Sequence, residues 1–535
     1  MAGSGAARPL RGIDPGYLAA LGVGIGAFVV YRMTLLPGLS AWDTGEAQTV
    51  LPVLGTMHPT GFPAYVVLGW LASIVFAPLG SPAFTINLLS AVLVACAVGM
   101  SVLVMRRLGA PVIVAIAAAI GFALSPVVWR VAVAADAHAL HAALLVAEVA
   151  LLLRWESLVE ASRAAPEDPS LRTRADRAIV LAAAVFGVAL ANHALTLILI
   201  PAVGLFVLAV DRGVLRRPRL VGAALGTCLV VVVLLYLELP LRGGPFRAPL
   251  VYGHPETWGG FWDVVAARQF QGDLGGPLAD LGGRARAFMT LAFDQFGVWL
   301  LLVPSGLLIT AIRRPRYAVL SGVALLTTCL FAASYSNAAI ERYYIGPVFF
   351  AWTWLAILGG AIADKVVDAV VARTSASGVG STGRRPAGRR RAAGAITGFV
   401  VGIVLLLPAA GQMQWRWRVA DQSNVTWAHA WLDEAFTTLQ PDAVVLSWWS
   451  YSTPLWYGQF VEHRRPDVWV VDDRTRLDER LGKITDVIEA NLDTRPVYLV
   501  PVAPSDIEAL GDRYVIEKAE PPGNLYRVVR RQEAP

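Results

Sequence analysis

The chemistry-bearing residues of this sequence begin at Trp42-Asp43-Thr44-Gly45-Glu46, followed by His58-Pro59-Thr60-Gly61-Phe62-Pro63. Two carboxylates three apart share one face of a helix, so Asp43 and Glu46 can stand beside one substrate. A carboxylate placed there acts as general base on an acceptor hydroxyl while its neighbours hold a phosphate-bearing donor. The same spacing also fits a solvated loop with a helix cap, and residue types alone leave both readings open. His58, set among turn-forming residues and close to Gly61, implies a loop of fixed shape. Its imidazole either meets phosphate or acceptor, or caps the turn.

A second set is spread along the chain: Asp136, His138 and His141, then Asn192 and His193, then Glu341 and Arg342, all at the ends of apolar runs. Ionisable groups at the edge of a bilayer are costly, so several converging on one leaflet predict a shared polar cavity that binds substrate. The competing assignment is local, with each pair satisfying neighbouring helix ends and Asp136 acting as an N-cap. His138 and His141 have a spacing that suits two imidazoles on one metal, but no HExxH pattern supplies a third ligand. No residue is therefore assigned to a metal, while a divalent cation held by Asp43 or Glu46 stays open. Arg242, Arg247 and Arg268 are candidates to grip phosphate, or else surface charges.

The elements that position these groups are membrane spans. Hydrophobic residues are 56% of the chain and charged ones 16%, well to the apolar side of soluble proteins. Apolar runs of about 20 residues recur from Gly16 to about Gly411. Spans near 17–37, 83–105, 111–129, 134–153, 178–192, 195–210, 219–238, 287–311, 317–335, 343–363 and 395–411 give about eleven crossings. The first reads as an uncleaved span rather than a signal peptide. Cys96, Cys228 and Cys329 fall inside spans without CxxC spacing and point to neither disulfide nor metal.

The net charge of +6 arises largely from arginines in short loops between spans, the positive-inside pattern, and not from a nucleic-acid surface. With Arg8 and Arg11 cytoplasmic, the basic loops at 106–107, 154–177, 212–219, 313–316 and 365–391 share that side. Arg384, Arg385, Arg389, Arg390 and Arg391 make the densest run, in a solvated linker (364–394) that touches anionic lipid. Segment 63–79 is apolar enough to span but would invert every later loop, so it reads as re-entrant or interfacial. The outer face then holds the first outer loop (38–82), a second loop from 239 to about 286, and everything from 412 onward.

From 412 to 535 the composition turns soluble. Helices around 424–439, 454–462 and 477–491 alternate with strands 443–447, 468–472 and 497–500, which predicts a small α/β sheet. No Gly-rich phosphate loop follows a strand. Trp415, Arg416, Trp417 and Arg418 read as an interfacial anchor between membrane and tail.

These motifs carry a family resemblance over most of the chain. Asp43-Thr44-Gly45-Glu46 and His58-Pro59-Thr60-Gly61-Phe62-Pro63, with Asn87 and Ser90 on the next span, resemble the large membrane family long catalogued as a domain of unknown function and related to the vertebrate transmembrane protein O-mannosyltransferase. Residues 135–141 are similar to its acidic-Val-Tyr-Ala-Leu-Asn segment, with Asp136 for the usual Glu and His138 for the usual Tyr. Residues 187–193 resemble its Gly-Leu-Ala-x-x-Asn-His segment, and Glu341-Arg342-Tyr343-Tyr344 its charged aromatic turn. Pro454-Leu455-Trp456-Tyr457 and Arg465-Pro466-Asp467-Val468 resemble elements of its tail.

The resemblance implies a polytopic α-helical membrane protein of the type-C glycosyltransferase fold, with its catalytic carboxylate on the first outer loop and a polyprenyl-phosphate sugar as donor. It makes Asp43 the catalytic base and Glu46 its partner. The implied reaction moves a sugar, with mannose a candidate, to a protein or glycan hydroxyl. The implied place is the extracytoplasmic face of the plasma membrane, the N-terminus lying in the cytoplasm. The departures at Asp136 and His138 bear on donor or acceptor choice. A transporter or flippase of lipid-linked sugars is the alternative class, yet no repeated half is found and the polar residues gather near one leaflet, not the midplane. A third assignment makes the tail a binding module, for which so many crossings exceed what an anchor needs.

Overall fold

Proline and a short polar side chain start the long helices. Asp14, Ser81, Asp136 and Asp168 accept a first-turn N–H of Pro15–Met33, Pro82–Arg107, Ala137–Ala164 and Pro169–Asn192, and three of these four begin on a proline whose missing N–H has no intrahelical partner to lose. The computed structural model describes residues 14–273, 275, 280–336, 339–376 and 386–532. Arg8, Arg11, Arg384 and Arg385 lie outside the described residues.

Among the described residues eight helices are long and apolar enough to cross a membrane, or nine if Val112–Ala123 and Pro126–Ala132, bent by 68°, form one span. The count of eleven is thus not reproduced. Ala137–Ala164 and the shorter Ala194–Val210 stand outside it. The break at 124–125 is satisfied from elsewhere, because Arg416 donates from Nη1 to the Leu124 carbonyl (2.8 Å). Arg416 also donates to the carbonyls of Asp294 and Gln295, and it is wholly buried. The interfacial-anchor reading of 415–418 is therefore corrected at Arg416: its Nη1 and Nη2 donate to backbone carbonyls left open where helices end and its Nε to the Gln412 Oε1, a buried structural duty. The 364–394 linker is likewise helical at both ends, in Ile345–Ala376 and Pro386–Gly411.

The basic loops gather at one end of the bundle. Arg316 pairs with Glu156 and Glu160, Arg314 donates to the Leu108 carbonyl, Arg172 and Arg163 hold Asp211, and Arg217 holds Asp176. At the other end residues 38–82, the segment expected as the first outer loop, fold into two helices, Trp42–Val50 and Pro63–Val75. The second has 13 residues, a length of about 20 Å, short of a hydrocarbon core of about 30 Å. Asn87 pins this loop to its neighbour: its amide donates to the Leu36 and Gly38 carbonyls, and its Oδ1 accepts from Gln48 (2.8 Å) and the Ala135 N–H (3.0 Å).

The tail forms a five-stranded sheet in the order β2-β1-β3-β5-β4. β1 (Val444–Leu446), β2 (Trp469–Val471) and β3 (Val497–Leu499) run parallel, as the alternation of strand and helix predicts. β4 (Tyr514–Ala519) and β5 (Leu525–Arg531) add an antiparallel hairpin that the sequence reading does not contain. One face of the sheet and the helix Trp449–Phe460 share a single apolar cluster with the first outer loop, through Leu455, Trp456, Ala47, Val50 and Tyr65. Composition changes at 412, but packing does not, so the tail is seated on the membrane part rather than tethered to it.

That seat leaves no room at Gly45. A Cβ there would lie 2.6 Å from the Ser40 carbonyl and 2.7 Å from Thr453 Oγ1. Gly45→Ala is expected to lower stability by about 1–3 kcal/mol through overpacking, read as a lower thermal midpoint in detergent. An unchanged midpoint would mean that the tail helix moves aside at no cost.

Candidate active site

Beneath the tail lies a cavity of about 990 Å³. Trp42, Asp43 and His58 line it from the first outer loop, Asp136, His138 and His193 from helix ends, Tyr252 and Phe270 from the second outer loop, and Arg342 and Tyr343 from the turn before Ile345–Ala376. The tail closes it with Trp449, Asp472, Asp473 and Arg474. Trp449 follows β1 and Asp472 to Arg474 follow β2, so the carboxyl ends of adjacent parallel strands deliver these groups. Crevices outside such ends are where α/β sheets bind ligands.

The centre of the cavity is an ion network. Arg342 donates to Asp43 (Nη2 to Oδ2, 2.9 Å) and to Asp136 (Nη1 to Oδ2, 3.1 Å). The Nε1–H of Trp449 reaches the other Asp43 oxygen at 3.4 Å. Asp136 also accepts from the His138 backbone N–H (2.8 Å) and lies 2.8 Å from His138 Nδ1. Burial by itself raises the Asp43 pKa, but the charges of His58 and Arg342 outweigh it and hold the carboxyl below its ordinary value. Asp136 is also held below its ordinary value: burial opposes ionisation, and Arg342 and His138 overcome it.

The two carboxylates of the first outer loop part company. Asp43 faces the cavity with 40% of its side chain exposed, whereas the Glu46 side chain is 1% exposed and does not line the cavity. Glu46 instead accepts the His58 backbone N–H (2.7 Å) on one oxygen and pairs with His58 Nδ1 on the other. The expectation that both acids address the substrate is corrected: Glu46 positions His58. Burial lowers the His58 pKa, but Glu46 first and Asp43 next raise it to about 8, so the imidazole is cationic near neutral pH.

This pair gives a pH prediction. A histidine whose pKa is raised on folding from 6.5 to about 8 contributes stability that is fully present below pH 6.5 and lost as pH rises through 8. The thermal midpoint is expected to fall between those values, and Glu46→Gln to flatten that segment of the profile. A midpoint that stays level across pH 6.5 to 8 in the unaltered protein rules the ion pair out.

The remaining expected residues divide. His193 and His138 stand with ring centroids 4.6 Å apart, and Tyr343 is 5.3 Å from His138. Phe62 links His193 to His58, so aromatic rings run from Trp449 across the cavity to Tyr343. His141 and Asn192 are buried just behind this row and do not line the cavity. Asn192 donates to the Ala137 carbonyl (3.2 Å), while its Oδ1 and the Nδ1 of His141 have no hydrogen-bond partner among the described residues. Four more expected contacts are corrected, since none of these side chains lines the cavity. Glu341 turns away to Arg130 (3.3 Å). Arg242 braces the first outer loop through the carbonyls of Leu54 (2.6 Å) and Val53, because a guanidinium between two open backbone acceptors satisfies them where water is excluded. Arg268 lies exposed on Asp263, and Arg247 donates to the Gly243 carbonyl beside Glu256.

Sequence reasoning did not single out Tyr252, Trp449 or Arg474, and it named Tyr343 only as part of the charged aromatic turn. The Arg474 guanidinium lies 3.9 Å from the Tyr252 ring centroid, joining tail to second outer loop. The signal for Trp449 and Arg474 was their position just past predicted strands. Among the described residues no group of three or more His, Cys, Asp or Glu side chains is arranged to hold a metal ion.

The architecture is that of the type-C glycosyltransferase fold. The crystal structure of ArnT from Cupriavidus metallidurans bound to undecaprenyl phosphate aligns with a TM-score of 0.56 at 16% identity, covering 97% of this chain and 98% of that one. The oligosaccharyltransferase AglB from Archaeoglobus fulgidus, in complex with an inhibitory peptide and a dolichol-phosphate, aligns with a TM-score of 0.51 at 14% identity, over 96% and 75%. Residues 43–214 match the family described as the Protein O-mannosyl-transferase TMEM260 N-terminal domain. The mouse Protein O-mannosyl-transferase TMEM260 is 31% identical over 157 residues, which are 29% of this chain and 22% of that protein. The chain therefore matches about a fifth of the length of that relative.

Proposed function

We propose that this protein is a membrane glycosyltransferase that moves a sugar, with mannose the first candidate, from a polyprenyl phosphate to a protein hydroxyl at the extracytoplasmic face. The observation that carries the reading is an ionised carboxylate, Asp43, on the floor of a large cavity at the end of the bundle remote from the basic loops. The matched relative is an O-mannosyltransferase, and the aligned structures hold undecaprenyl phosphate and dolichol-phosphate.

In this reading the acceptor oxygen attacks the anomeric carbon, its proton passes to Asp43, and the bond from that carbon to the phosphate oxygen breaks. The polyprenyl phosphate leaves with the electron pair. His58 and Arg342 supply the positive charge that steadies the departing phosphate, in a site whose low dielectric strengthens both. Arg474 and Trp449 place the tail at the acceptor side, and His138, His193 and Asp136 contact the sugar. With the basic loops cytoplasmic, the cavity and tail face outward.

The test is a transfer assay with full-length purified protein, a pool of polyprenyl-phosphate sugars and hydroxyl-bearing peptides. The expected result is a glycosylated peptide and one free polyprenyl phosphate per bond formed. Movement of the lipid-linked sugar across proteoliposomes with no new bond would overturn the reading in favour of a flippase.

A further inference from the structure

At the end of the bundle opposite the cavity, a groove of about 590 Å³ opens between Pro169–Asn192 and Pro218–Tyr236. Its lining follows helical stripes: Thr173, Asp176, Arg177, Val180, Leu181 and Ala184 on one helix, and Leu220, Ala223 and Thr227 on the other, with Arg217 and Arg219 at the mouth. These spacings of three, four and seven keep each set on one helix face. The polarity is graded. Charge is confined to the end at 173–177 and 217–219, and apolar side chains line the walls as far as Ala184 and Thr227. From Thr173 to Ala184 the groove runs about 17 Å.

Three guanidinium groups line the groove beside one carboxylate, Asp176, which Arg172 also approaches from outside the lining (3.8 Å). Arg217 pairs with Asp176, whereas Arg177 and Arg219 are exposed and have no ion pair among the described residues. The helix that begins at Pro218 adds the positive end of its dipole at the same mouth. The outer wall is lipid-facing in composition, since the span Pro218–Gly243 contains an 18-residue stretch of mean hydropathy 2.6 of which no residue is buried.

A soluble anion would use the mouth and leave the apolar walls empty, and a neutral lipid would leave two arginines unpaired. We propose that the groove binds an anionic phospholipid, its phosphate between Arg177, Arg217 and Arg219 and an acyl chain along Val180, Ala184 and Ala223. Basic pockets between membrane helices hold anionic headgroups by this combination of charge and apolar contact. The inference does not depend on the proposed transferase activity.

The experiment is native mass spectrometry of the full chain in neutral detergent, titrated with phosphatidylglycerol or with phosphatidylcholine of the same acyl chains. The unaltered protein is expected to retain phosphatidylglycerol roughly 25-fold over phosphatidylcholine, two unpaired arginines each contributing about fivefold. Arg177→Gln with Arg219→Gln should abolish the preference, with the thermal midpoint unchanged because neither side chain has a protein partner. Ala184→Trp, which fills the apolar end, should lower phosphatidylglycerol retention with all arginines present. Equal retention of the two lipids, full preference in the double variant, full retention in Ala184→Trp, or displacement of the lipid by an equal concentration of glycerol phosphate would each overturn the proposal.

Discussion

Asp43→Asn is expected to lower transfer by about two to four orders of magnitude, the usual contribution of a positioned general base, while the folded protein survives. The amide matches the carboxylate in size, and Arg342 keeps Asp136 as a partner at 3.1 Å. What disappears is the only acid of the first outer loop that faces the cavity, since Glu46 is held beneath His58. The readout is kcat against KM for a peptide acceptor, with the thermal midpoint as control. A fall in kcat with little change in KM fits a group that acts on the reacting proton. Activity within tenfold of the unaltered protein removes Asp43 from that role.

Arg342→Met is expected to be the more damaging substitution, because it leaves carboxylates at 43 and 136 facing one cavity with their shared cation gone. The Asp136 side chain is 10% exposed and that of Arg342 22%. Breaking a buried pair by removing one partner costs about 3–5 kcal/mol, and most of this falls on Asp136 because Asp43 keeps contact with water. The sign of the pH dependence follows. Asp136 is depressed on folding, so its contribution is present above the ordinary carboxylate pKa and lost as pH falls. The deficit of Arg342→Met relative to the unaltered protein should be widest near neutral pH and narrow on acidification, as seen in thermal midpoints. Adding Asp136→Asn should recover part of the stability without activity. A deficit that widens as pH falls would show that the arginine acts by packing and not by charge.

The division between what was legible in the sequence and what was not follows chain distance. Spans, caps and the alternating elements of the tail come from local rules, hydrophobic period and first-turn chemistry, and these hold within a few turns of chain. They locate Asp43, His58, Asp136, His138, His193 and Arg342 at one end of the apolar runs, where the cavity lies. The missed hairpin β4–β5 is also local. Its strands are the longest of the sheet, at 6 and 7 residues, but mixed in charge, so their alternation is weak.

The sequence by itself determined that a carboxylate follows the first span and that polar groups collect at the far ends of several others, because burying them in lipid is too costly to occur by accident. Only the tertiary structure decided which carboxylate faces the cavity. Residues 43 and 46 lie on adjoining parts of one helix face, and packing against the tail helix turns one to the cavity and buries the other under His58. It also decided that Arg242 braces a loop, that Arg416 serves carbonyls inside the bundle, and that Trp449 and Arg474 complete the site from the tail. Such pairings join residues hundreds of positions apart. No periodicity reaches that far, and only the mutual exclusion of volume in a packed core selects them.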